Sequence, residues 1–136
     1  ETGDKRKDYF VLSGGNYYSL KHLDRFGDVP VVRLSEMYLT RAEANQRNTT
    51  AVGATPLSDV NAIRTRAGLP ALTAVTLADI LKERRLELAF EGQFLPDAKR
   101  TQTAVGLFAW NSPKLIMPIP QREMDVNKQL VQNEGY

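Results

Sequence analysis

Glu87 and Glu91, two carboxylates one helical turn apart in KERRLELAFEG, are the side chains in this sequence with the clearest chemical potential. Such a pair does general acid/base work when burial or its own like charge raises one pKa. Arg84 and Arg85 stand beside them, with Arg84, Glu87 and Glu91 at i, i+3 and i+7. A guanidinium at that spacing favours both ionised forms, so the three read as a structural ion network and not as a catalytic dyad. Arg33 with Glu36 and Glu43 with Arg47 read as a solvated helix face. His22 is the single histidine and has no cysteine or carboxylate cluster with which to build a transition-metal site. It also lacks the nucleophile and orienting partner a catalytic base needs. Gly14-Gly15 lacks the spacing and the Lys-Ser/Thr of a phosphate loop, and Asp125-Val126-Asn127 lacks the rest of a calcium loop. No cofactor, metal or catalytic constellation is expected.

The totals narrow the class further. A chain of 136 residues suits one domain with a true core. With 42% hydrophobic and 25% charged residues it is a globular composition. The net charge is only +2 and the basic residues are interleaved with acids, which argues against a nucleic-acid footprint. The absence of cysteine excludes a disulfide framework, a zinc ribbon and a thiol nucleophile. No apolar run approaches the ~20 residues of a membrane-spanning helix. The sequence opens at Glu1 without a Met, so it is expected to be a fragment or processed product with any targeting signal upstream.

The elements that must position these residues are mostly helices. Thr76-Leu-Ala-Asp79 has capping-box spacing and opens a central helix running towards Gly92. Leu77, Ile80, Leu81 and Leu88 lie on one of its faces, with Leu86 and Phe90 on the other. Val31 to Arg47 is a second helix, on which Leu34, Tyr38 and Ala42 share a face. Pro56 to Ala67 is a third, with Thr55 as N-cap, Val60, Ile63 and Ala67 as its core stripe and Gly68 as its stop. Three helices joined by short linkers suit helix pairs stacked as in repeat arrays. Upstream, YFVLS and YYSLKHL flank Gly14-Gly15-Asn16, either a β-hairpin or a surface-draped segment. Beyond Gly92, Pro96 ends or kinks any helix, and KLIMPIP is an extended apolar stretch whose prolines exclude a central strand. Pro120 can open one helical turn, and the tail is polar coil. The expected organisation is one unit over residues 1–136: hairpin or loop over 1–30, helical core over 31–92, irregular tail over 93–136.

Four of these stretches together resemble the C-terminal part of the SusD/RagB family. They are VVRLSEMYLTRAEA, LSDVNAIRTRAGLP, ILKERRLELAFEG and MPIPQREMDVNKQLVQNEGY, in matching order and spacing over roughly residues 30–136. The resemblance implies a mainly α, tetratricopeptide-like scaffold with a long irregular C-terminal segment. It also implies a non-enzymatic nutrient- or glycan-binding lipoprotein on the outer surface of the outer membrane. The expected partners are a polysaccharide or oligosaccharide and a TonB-dependent (SusC-like) outer-membrane transporter, with membrane attachment only through a lipid anchor outside this chain. The sequence departs from the family where the Arg-Trp-Phe positions after Glu91-Gly92 hold Phe94, Leu95 and Pro96, although Asp97 and Arg100 keep their places. Glycan sites set aromatic faces against sugar rings and amides against hydroxyls. On that basis Trp110 with its neighbour Asn111, and Tyr17 with Tyr18, are the candidate ligand-binding residues, although packing is the commoner role for each. A free-standing helical repeat module for protein–protein interaction is the alternative.

Overall fold

A computed structural model describes every residue except Glu1, His22 and Arg25. The chain forms two compact units, Glu1–Glu91 and Gly92–Tyr136.

In the first unit the hairpin alternative holds. Strands β1 (Phe10–Ser13) and β2 (Asn16–Ser19) pair antiparallel with Val11 opposite Tyr18 and Leu12 opposite Tyr17. Gly14 and Gly15 close it at φ +56° and +80°, the two positive φ values of a tight hairpin turn, which glycine adopts without strain.

Three helices follow: α1 (Leu34–Asn48), α2 (Pro56–Arg66) and α3 (Leu77–Glu87). Each of the three packs against the other two. The core between them is Leu39, Ala42, Val60, Ile63 and Ile80, with Tyr38, Leu72 and Val75 laid against it. Leu34 takes no part in that core and is exposed.

The predicted caps form. The Thr55 side chain accepts from Ser58 N–H at 3.1 Å, and Pro56 opens α2 where its missing N–H costs nothing. Thr76 and Asp79 exchange reciprocal side-chain to backbone bonds at 3.2 and 2.9 Å. Side chains also set the linkers. The Asn45 amide serves Val52 and Ala54 carbonyls and the Val52 N–H, and Asn61 brackets both backbone groups of Leu72.

The central helix is shorter than its pattern predicts and ends at Glu87. The carbonyls of Glu87 and Ala89 are taken by the Lys21 ammonium, at 3.0 and 2.9 Å, instead of by a further helical turn. Phe90 sits in the left-handed region at φ +66°, its ring 5.2 Å from that of Phe10.

The second unit is more ordered than its prolines suggest. Phe94–Arg100 forms a seven-residue helix, α4. Pro96 is its third residue, in the first turn, where a backbone N–H has no helical partner to lose. A single short helix, α5 (Gln121–Val126), follows Pro120 as expected. The intervening KLIMPIP stretch is held by side chains of the closing QNEGY. Gln132 accepts from Ile119 N–H at 2.8 Å and donates to Ile119 C=O at 2.9 Å. Asn133 donates to Met117 C=O at 2.6 Å, and the Tyr136 hydroxyl to Lys114 C=O at 3.3 Å.

Candidate functional site

The first unit concentrates its polar chemistry on one face of α3. Glu83 and Glu87 lie one turn apart on that face, and Glu91, beyond the helix end, shares Arg33 with Glu87. Three like charges in a row repel unless cations arrive from elsewhere, and they arrive from four segments. Arg6, from the N-terminal 3-10 turn Lys5–Tyr9, donates to Glu83 at 2.6 Å and to Asp4 at 2.8 and 2.9 Å. Arg64, near the end of α2, reaches the second Glu83 oxygen at 3.2 Å. Arg33, the N-cap residue of α1, grips Glu91 with two nitrogens at 2.7 and 3.0 Å and Glu87 with a third at 3.0 Å. Arg66 donates to the same Glu87 oxygen, and Lys21 closes the row on Glu91 at 2.7 Å.

Burial alone pushes the Glu87 and Glu91 carboxyls upward. Hydrogen bonds from Arg66 and Arg33, and from Lys21 and Arg33, outweigh it and hold both below the ordinary carboxylate range. Burial likewise pulls down the guanidinium of Arg33, and its bonds to Glu91 and Glu87 more than restore it. The Arg6 hydrogen bond holds Asp4 low. Asp4, Arg33, Glu87 and Glu91 are therefore ionised at neutral pH, and neither Glu87 nor Glu91 is poised to transfer a proton.

Arg84, expected between Glu87 and Glu91, reaches across to α1, donating to Glu36 at 3.2 Å and Thr40 at 3.3 Å. The α1 face read as solvated is consequently half-buried, with Thr40 and Arg47 still exposed. Glu36 and Arg33 both serve α3, and Glu43 is buried while keeping its i, i+4 pair with Arg47 at 2.8 Å. The sequence reading missed Glu83, Arg6, Arg64, Arg66 and Lys21. The four-residue carboxylate period was visible, but the cations lie far away in the chain.

Beside this row, between the hairpin base and the helix ends, opens a cavity of about 1000 Å³. Tyr9, Phe10, Leu20, Leu23, Val29 and Leu86 supply its apolar wall, with Lys21, Arg33, Arg66, Glu87 and Glu91 on the charged side.

The aromatic candidates are dispersed. Tyr17 and Tyr18 are adjacent on β2, point to opposite faces of the hairpin and are both exposed. Trp110 and Asn111 lie in the second unit, after a tight turn in which Val105 and Phe108 exchange backbone bonds, and both are exposed. His22 lies outside the described residues. Among the described residues no group of three ligating side chains could hold a metal ion, and no helix is long and apolar enough to cross a membrane.

The family model for SusD proteins matches residues 19–112, from the end of the hairpin through all of α1–α4. The chain belongs to the SusD family. Among characterised SusD relatives, the starch-binding protein SusD of Bacteroides thetaiotaomicron is 32% identical over 123 residues, covering 80% of this chain and 22% of that protein. Among solved structures, a candidate sugar-binding protein of Bacteroides vulgatus superposes with a TM-score of 0.77 at 28% identity, over 98% of this chain and 36% of its own. The surface glycan-binding protein A of Bacteroides uniformis does so at 0.66 and 26%, over 98% and 38%. The chain thus spans about a fifth of the curated relative it matches and under two-fifths of these solved ones. Its mainly α, tetratricopeptide-like helix pairs with an N-terminal hairpin are a SusD-type architecture.

Proposed function

We propose that this protein binds glycans at the bacterial cell surface without turning them over, acting with a TonB-dependent outer-membrane transporter. In this reading these residues supply the C-terminal scaffold of a SusD-type binder. It sits on the outer face of the outer membrane, attached through a lipid anchor outside residues 1–136. The observation that carries the reading is 32% identity to a protein named for binding starch, joined by a structural likeness to one named for binding surface glycans. The ionised, hydrogen-bonded carboxylates of Glu87 and Glu91 support a structural and not an acid/base use of the pair. Exposed Tyr17, Tyr18 and Trp110, the last beside Asn111, are the rings we assign to carbohydrate contact.

Affinity electrophoresis through gels containing starch, xylan, pectin or mucin glycans tests this directly. At least one polysaccharide should retard the protein, and Trp110→Ala or Tyr17→Ala/Tyr18→Ala should weaken that retardation at least threefold without altering the circular dichroism spectrum. Unchanged mobility in every gel removes the glycan reading. Retardation insensitive to these substitutions moves the contact away from the named rings.

A further inference from the structure

We propose that the cavity of about 1000 Å³ in the first unit is a subsite for acidic sugars, taking the carboxylate of a uronate residue on Arg66 and Lys5. The inference rests on the glycan reading above and narrows it to a class of ligand.

The carboxylate row consumes two of the cations that line this cavity. Arg33 spends all three guanidinium nitrogens on Glu87 and Glu91, and the Lys21 ammonium is shared among Glu87 C=O, Ala89 C=O and Glu91. Two other lining cations keep donors to spare. Arg66 donates through Nη2 to Glu87, its side chain is 56% exposed, and its Nε and Nη1 meet no partner among the described residues. Lys5 is exposed, and no carboxylate among the described residues meets its ammonium. The backbone brings both to the same end of α2. The Lys5 N–H donates to Ala67 C=O at 2.9 Å, and the Lys5 side chain crosses Gly68 closely enough that a Cβ there would stand 3.1 Å from Cε and 3.2 Å from Cγ. The partial negative charge of the α2 C-terminus offsets the repulsion between the two.

Spare cationic donors select an anion, and the rest of the lining says of what kind. Asp24 and Asp28 border the same cavity, so a multiply charged ligand such as a nucleoside triphosphate meets repulsion there. A ring with one carboxylate and several hydroxyls satisfies both signs. Its carboxylate takes charge-assisted bonds from Arg66 and Lys5, and its hydroxyls donate to the aspartates. Tyr9 is 49% exposed, with the Lys21 ammonium 5.8 Å from its ring centroid, and offers an aromatic surface to the sugar. The volume is at the upper end of the ~300–1,000 Å³ of small-ligand sites, room for more than one pyranose ring.

Isothermal titration of the 136-residue chain with trigalacturonate and with its full methyl ester tests the site, since the ester keeps every ring and removes the charges. The acid should bind at least about tenfold more tightly, and Lys5→Gln/Arg66→Gln should bring the two within about twofold. Should loss of the Arg66–Glu87 bond unfold that variant, Lys5→Gln alone breaks no ion pair among the described residues and should cut the preference at least about threefold. Arg122→Gln/Lys128→Gln removes the same charge from exposed positions in and beside α5 and should leave the preference in place. Equal affinity for acid and ester overturns the proposal, and the glycan reading survives it if any gel still retards the protein. A preference that persists in the cavity variants, or that the α5 control abolishes equally, also overturns it, by assigning the effect to another surface or to net charge. No heat with either sugar and no retardation in any gel removes the glycan reading and this site together.

Discussion

Glu87→Gln is the most demanding test of the ionic row, because it removes one charge while keeping the shape. The Glu87 side chain is 3% exposed and takes hydrogen bonds from Arg33 at 3.0 Å and from Arg66, with Arg6 3.6 Å away. A hydrogen bond to a charged acceptor contributes about 1.5–3 kcal/mol and a neutral one about 0.5–1.5. Two such bonds losing their charge cost about 2–3 kcal/mol. The cost stays below the full ~3–5 kcal/mol of a broken buried pair because the cations are not stranded. Arg33 keeps Glu91, Arg6 keeps Asp4 and Glu83, and Arg66 is half-exposed and can hydrate. Urea unfolding with a slope of about 2 kcal/mol/M should then show a midpoint about 1–1.5 M lower at pH 7. The sign of the pH dependence is fixed by the depressed carboxyl. With its folded pKa below the unfolded value of about 4.3, Glu87 contributes fully above that pH and loses its contribution as pH falls through the folded value. The gap between wild type and variant should therefore close below about pH 4. A midpoint within 0.2 M of wild type at pH 7 (about 0.4 kcal/mol at that slope), or a gap that persists undiminished in acid, would refute the account.

Three further outcomes are expected. Lys21→Met removes the ammonium from two helix-end carbonyls and Glu91. Amide exchange across Phe10–Ser19 should accelerate about tenfold while α1–α3 hold, and a uniform acceleration would deny the clamp. Leu39→Ala, at a fully buried core site, should cost about 2–5 kcal/mol in thermal unfolding, and a loss under 1 kcal/mol would mean the core is elsewhere. Gln132→Ala strips both partners from the Ile119 backbone and should destabilise the Gly92–Tyr136 unit by about 1–2 kcal/mol, read as faster protease nicking near Ile119.

What the sequence made legible was local. The Thr76–Asp79 box, Thr55-Pro56 and the Gly14-Gly15 turn act within four residues of themselves, and each forms as its chemistry requires. The C-terminal end of α3 was not legible, because it is set by Lys21, 66 residues upstream of Glu87. The same distance hid the cations of Glu83 and Glu87. Arg6 is 77 positions from Glu83 and Arg33 is 54 from Glu87, beyond the reach of any helical spacing rule. Pro96 misled for a different reason. A proline breaks a helix from its interior but not from its first turn, and nothing nearby announced Gln93 as the start. For the candidate rings the sequence named residue types that are exposed, and once the hairpin forms its two-residue period turns Tyr17 and Tyr18 opposite ways.

The side-chain brace on KLIMPIP bears on how this protein stays unaggregated. An extended apolar segment is a ready template for a foreign strand. Here Pro118 and Pro120 have no N–H to offer, the Ile119 N–H and C=O are both occupied by Gln132, and the Met117 carbonyl is occupied by Asn133. A strand approaching residues 117–120 finds no free N–H at Pro118, Ile119 or Pro120 and finds the Met117 and Ile119 carbonyls already engaged. The closing QNEGY thereby uses its amide side chains to occupy backbone groups that a foreign strand would need.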